Sequence, residues 1–95
     1  FDKIFVRELE ALSSKKDLFI PISTSGNSLN IIEAIKYSIS NGIKTIGLTG
    51  KEGGKMGEIC EVINIPSNKT EKIQEAHIMV GHIVCYLTEK EVFKI

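Results

Sequence analysis

The chain has 95 residues, 42% of them apolar and 25% charged, which is the composition of one globular domain with a modest core. Twelve basic residues balance twelve acidic ones and no stretch gathers positive charge, so a nucleic-acid footprint is not expected. Two distant cysteines without CxxC spacing and the lack of a run of about 18 apolar residues argue against a disulfide framework or a membrane span; a reducing cytoplasm is the expected setting.

The opening segment, FDKIFVRELEAL, places Ile4 or Phe5, Leu9 and Leu12 on one helical stripe. Because the helical pattern is under way at Phe1, a fragment lacking an amino-terminal half is expected. DLFIPIS then reads as a strand, although Pro21 removes a ladder donor and is unusual in such a position. SLNIIEAIKYSISNG predicts a helix with Leu29, Ile32, Ile35 and Ile39 on its core face and a left-handed stop at Asn41–Gly42. KTIGLTG predicts a second strand, GKMGEIC a short connection, EVINIP a third strand, and TEKIQEAHIMVGHIVCYLTEK a long helix. Strand, helix, strand, connection, strand, helix is the order of a parallel α/β sheet covered on both faces.

The junction of the first strand and second helix carries STSGNS, residues 23–28. In open parallel sheets, ligands sit beyond the carboxyl ends of strands, where unpaired helix amides and about half a positive charge from the macrodipole favour an anion. The hydroxyls of Ser23, Thr24, Ser25 and Ser28 add donors, Gly26 permits close approach, and Asn27 tolerates unusual dihedrals. A plain capping turn is the simpler reading, but four hydroxyls around one glycine exceed what a cap requires. No GxxxxGK[ST] is present and GKEGGKMG lacks the GxGxxG order, so no nucleotide is expected.

On the last helix, Ala76, Val80, Val84 and Leu87 lie within about 60° of Ile73, and His77 at about 40°, which predicts a core stripe with a packed structural histidine. Glu71, Gln74, Ile78, His82 and Cys85 form a second stripe between about 100° and 180°. On it, His82 is the group suited to proton exchange near neutral pH, whereas Gln74 can hold a hydroxyl but not move a proton. A histidine satisfied within a helix interface is the alternative. Spacing alone does not assign a metal, because residues 74 and 82 are about 12 Å apart along a straight helix. Apolar residues nearly all round this helix predict packing between subunits and a homo-oligomer.

With ISTSGNSLNIIEAI, GLTGKEGGKMGE and KIQEAHIMVGHIVCYLTEKE read in this order, the chain resembles the carboxyl-terminal half of the phosphoheptose isomerases of the SIS (sugar isomerase) family, from about Phe1 to Glu91. The resemblance implies a three-layer αβα sandwich assembled as a homotetramer with sites between subunits. It also implies conversion of sedoheptulose 7-phosphate to D-glycero-D-manno-heptose 7-phosphate, toward the heptose of lipopolysaccharide or capsule. Ser23, Thr24, Ser25 and Ser28 would hold the sugar phosphate and Gln74 would contact substrate. Gln74 and His82 would be ligands in zinc-containing members, and His82 the acid/base of an enediol isomerisation. The family's glutamate base and further metal ligands come from an amino-terminal half, and Glu71 stands where aspartate is common. The rival reading is a non-catalytic SIS module that binds sugar phosphates or associates with a replication initiator; that type generally lacks the histidine matching His82 and differs in the middle of STSGNS.

Overall fold

The computed structural model describes residues 3–94. Seven elements follow in order: α1 (Ile4–Leu12), β1 (Leu18–Phe19), α2 (Leu29–Ser40), β2 (Lys44–Thr49), α3 (Met56–Ile59), β3 (Glu61–Asn64) and α4 (Thr70–Phe93). The strands pair in parallel in the order β1-β2-β3. The three-layer α/β arrangement implied by the resemblance is therefore present. Phe19 and Val62 face Ile32, Ile35 and Met56 of α2 and α3, while Leu18, Ile20, Ile22 and Ile63 turn toward α4 on the opposite side.

Pro21 explains why β1 is so short. The register Leu18↔Lys44 and Phe19↔Thr45 continues unchanged to an isolated bridge, Ile22↔Leu48, so no bulge intervenes. In that register the N–H of residue 21 would donate to Ile46, and proline has none. The ladder lapses there and resumes when Leu48 N–H donates to the Pro21 carbonyl (2.9 Å) and Ser23 N–H to the Leu48 carbonyl (3.0 Å). The hydroxyl loop is thus anchored to β2 at its first residue.

Helix α2 ends as its sequence predicts. Gly42 has φ of 72°, its N–H donates to Ile39 and the Ile43 N–H to Ser38, which satisfies two carbonyls of the last turn. Its buried face is narrower than the expected stripe: Ile32 and Ile35 are buried, but Leu29 and Ile39 are exposed, because the helix ends extend past the short strands. Ile35 is wholly buried in the cluster with Ile32 and Met56. Replacing Ile35 with alanine is expected to destabilise the full-length protein by about 2–5 kcal/mol, read by urea denaturation.

Two further expectations are corrected. In α1, Phe5 and Leu9 are half-buried, but Leu12 is 83% exposed, since the helix rests on α2 and ends at the chain's turn toward β1. In α4 the core stripe stops early: Ile73 and His77 are buried, Ala76 and Val80 half-buried, whereas Val84 and Leu87 are exposed. A 24-residue helix is far longer than a three-stranded sheet is wide, so its second half projects beyond the cover the described residues provide.

Candidate active site

The hydroxyl loop is a folded object rather than a string of free donors. Ser23 is buried; its Oγ accepts from the Gly26 N–H (3.1 Å) and pairs with Ser28 Oγ (3.1 Å). The Asn27 N–H donates to Ser25 Oγ at 3.1 Å. Ser28 is the N-cap residue of α2, yet no side chain caps the helix, because its hydroxyl is turned toward Ser23. The first amides of α2 are thereby left for a ligand, as an anion site requires.

A second loop, residues 50–55 after β2, braces the first. The Met56 N–H donates to the Gly26 carbonyl and the Lys55 N–H to Asn27 Oδ1, both at 2.9 Å. The approach is so close that a Cβ on Gly26 would lie 2.1 Å from the Gly53 carbonyl oxygen, and one on Gly54 would lie 2.4 Å from that of Ser25. The glycines of GKEGGKM, whose order rules out a nucleotide motif and which carry part of the family resemblance, form the supporting wall of the hydroxyl loop.

At the carboxyl ends of the strands these loops border a cavity of about 320 Å³. Thr24, Ser25 and Asn27 form one side, Lys51 and Glu52 another, and Ser67, Asn68, Thr70 and Ile73 close it from the β3–α4 connection. Of the four expected phosphate-holding hydroxyls, Thr24 and Ser25 line this space, while Ser23, which is buried, and Ser28, which is exposed, do not border it and bond to each other within the loop. Lys51, Ser67, Asn68 and Thr70 were not legible as site residues, although the hydroxyl and amide run PSNKT directly after a strand was an available signal.

Gln74 and His82 border an adjoining, wider opening of about 570 Å³, together with Ile22, His77 and Ile78. The first turn of α4 stands between the two spaces, with Ile73 facing the first and Gln74 the second. Both Gln74 and His82 are exposed among the described residues. His77 is 5% exposed and its Nε2 lies 3.0 Å from the Thr49 carbonyl oxygen, the packed structural histidine that the wheel predicts. Cys60 takes no part: burial pushes its thiol up, opposed by a hydrogen bond from the Gly47 backbone and reinforced by the charge of Glu61, so it stays protonated.

Metal binding is limited by the donor set. Among the described residues no three His, Cys, Asp or Glu side chains gather closely enough to hold an ion. Gln74 and His82 offer one amide oxygen and one imidazole, which do not complete a four-coordinate zinc site.

A hydroxyl-lined cavity at the ends of parallel strands, built on STSGNS, defines the class, and the sequence agrees: the SIS domain family model matches residues 1–50, and the chain belongs to this family. The particular relatives are phosphoheptose isomerases. That of Aliarcobacter butzleri is 52% identical over 92 residues, covering 96% of this chain and 49% of the relative, and that of Aneurinibacillus thermoaerophilus 47% identical over 95 residues, covering 99% and 48%. The solved phosphoheptose isomerase of Neisseria gonorrhoeae superposes with a TM-score of 0.85 at 38% identity, over 92% of this chain and 50% of that one. The chain spans about half the length of the curated relatives it matches. No helix of the described residues is long and apolar enough to cross a membrane.

Proposed function

We propose that these residues form the carboxyl-terminal half of an aldose–ketose isomerase that converts sedoheptulose 7-phosphate to D-glycero-D-manno-heptose 7-phosphate. The observation that carries the reading is the cavity lined by the hydroxyls of Thr24 and Ser25 and by Asn27, the residue directly before the uncapped start of α2, beside an α4 face bearing Gln74 and His82. Thr24, Ser25 and the first amides of α2 bind the phosphate, and Gln74 holds a sugar hydroxyl. His82 exchanges a proton with the 1,2-enediol. Loss of a C1 proton gives the enediol, return of a proton to C2 and movement of the hydroxyl proton from O1 to O2 give the aldehyde, and the balance needs no oxidant. The partner base comes from chain outside these 95 residues. Zinc, with Gln74 and His82 as two ligands, would draw its remaining ligands from there as well.

The exposed apolar residues Ile78, Met79, Ile83 and Tyr86 of α4 support assembly, for which the homotetramer is our proposal, and the two free cysteines support a cytoplasmic setting. The same reading places the product on the route to the heptose of lipopolysaccharide or capsule.

The test is turnover of sedoheptulose 7-phosphate by the full-length protein in D2O, followed by NMR. Aldose carrying deuterium at C2 is expected. Product without deuterium, or no product together with a melting shift on adding ATP, would overturn the assignment. A Ser25→Ala variant is expected to weaken substrate binding by about 10-fold or more, the scale of a lost hydrogen bond to a charged group, measured as a rise in KM.

A further inference from the structure

His77 makes a contact that reaches beyond packing. Its Nε2 faces the Thr49 carbonyl oxygen, which can only accept, so Nε2 carries the proton and Nδ1 the lone pair. Nδ1 is buried and has no partner among the described residues. The Thr49 carbonyl also accepts from the Ile65 N–H at 3.0 Å. The other end of that same peptide group is the Gly50 N–H, which donates to the Thr24 carbonyl in the hydroxyl loop at 3.1 Å. One planar unit therefore has the α4 imidazole on one side and the candidate phosphate loop on the other.

Its surroundings hold this unit in place. The Asn64 side-chain amide donates to Thr49 Oγ1 and to the Gly50 carbonyl, both at 3.1 Å. A Cβ on Gly50 would come within 2.6 Å of Ile73 Cδ1, which can swing aside, and within 2.8 Å of the Thr24 carbonyl oxygen, so a side chain there would push against the loop backbone. On α4, His77 borders the same opening as Gln74 and His82.

We infer that His77 is a positioning residue: through the Thr49–Gly50 peptide it fixes the register of the Gln74 and His82 face against the Thr24–Ser25 segment of the hydroxyl loop. Donation into the carbonyl polarises the peptide and strengthens its N–H as a donor to Thr24, so the two hydrogen bonds support one another. The consequence for chemistry is geometric, because a misplacement of about 1 Å between the anchored end of a substrate and a proton-transfer group can lower turnover about 100-fold.

The test compares His77→Leu, which fills the space without a donor, with His77→Gln, whose amide N–H sits near the position of Nε2. Both are made in the full-length protein. For His77→Leu, kcat on sedoheptulose 7-phosphate is expected to fall about 10- to 100-fold. Affinity for inorganic phosphate, by calorimetry, is expected to stay unchanged, and His77→Gln to recover most of the turnover. Wild-type turnover in His77→Leu, parallel loss of kcat and phosphate affinity, or no advantage of glutamine over leucine would each overturn the inference. The activity arm rests on the isomerase reading; a second arm does not. In amide NMR the Gly50 N–H resonance should move in His77→Leu and return in His77→Gln, and an unmoved resonance overturns the inference even if the wild type has no turnover. Should the leucine variant not fold, the imidazole nitrogen spectrum of the wild type decides: proton on Nε2 supports the inference, proton on Nδ1 refutes it.

Discussion

Replacing His82 with glutamine in the full-length protein is expected to lower turnover of sedoheptulose 7-phosphate by about 10²–10⁴-fold, the range for losing a general acid/base. Phosphate binding should survive, because the cavity proposed to hold the phosphate is built from the hydroxyl loop, the 50–55 loop and the β3–α4 connection, and His82 does not border it. Glutamine retains hydrogen bonding and similar bulk but cannot exchange a proton near neutral pH. Steady-state kinetics and phosphate calorimetry on the same preparation make the distinction. A variant with unchanged turnover would remove His82 from the chemistry. If the protein binds heptose phosphate equally well in both forms and neither turns it over, the non-catalytic sugar-phosphate module is the correct reading.

Gly26→Ala is expected to be the most damaging small substitution in the hydroxyl loop. Gly26 has φ of 72°, where an alanine costs roughly 1–2 kcal/mol by itself. The added Cβ would also stand 2.1 Å from a backbone oxygen of Gly53, a contact no rotamer change can relieve. The two loops must separate, and the bonds from Met56 N–H to Gly26 and from Lys55 N–H to Asn27, worth about 0.5–1.5 kcal/mol each, are strained or lost. Together these predict a loss of about 2–5 kcal/mol, read as a lowered melting point. Phosphate affinity should fall with it.

Gly42→Ala is the control for that result. Gly42 has the same φ of 72°, but an added Cβ there meets only the aliphatic part of Lys15 at 3.8 Å. Only the backbone cost of roughly 1–2 kcal/mol is expected. Equal melting shifts for the two alanine variants would show that the loop-to-loop contact contributes nothing beyond backbone conformation.

The local features were legible from residue order. The alternation of short apolar runs with helical periodicity predicted the parallel α/β succession, Asn41–Gly42 predicted the end of α2, and STSGNS predicted a loop at the strand-to-helix junction. Each of these is decided within a few residues by side-chain period or turn chemistry. The packed character of His77 was legible for the same reason, since it falls on the stripe of Ile73.

Other features required the tertiary structure. The bond from Lys55 to Asn27 and the bond between His77 and Thr49 each join residues 28 positions apart, and their existence depends on which strands are neighbours and in what register. Residue order likewise does not separate Thr24 and Ser25, which border the cavity, from Ser23 and Ser28, whose hydroxyls bond to each other and do not border it. The extent of burial along α4 is of the same kind: periodicity marks which face is apolar, but where cover ends is set by the length of sheet beneath the helix. The sequence by itself therefore determined the elements, their order and the chemical character of the loop. Only the folded arrangement decided which of those groups meet, because strand order and register bring distant parts of the chain together.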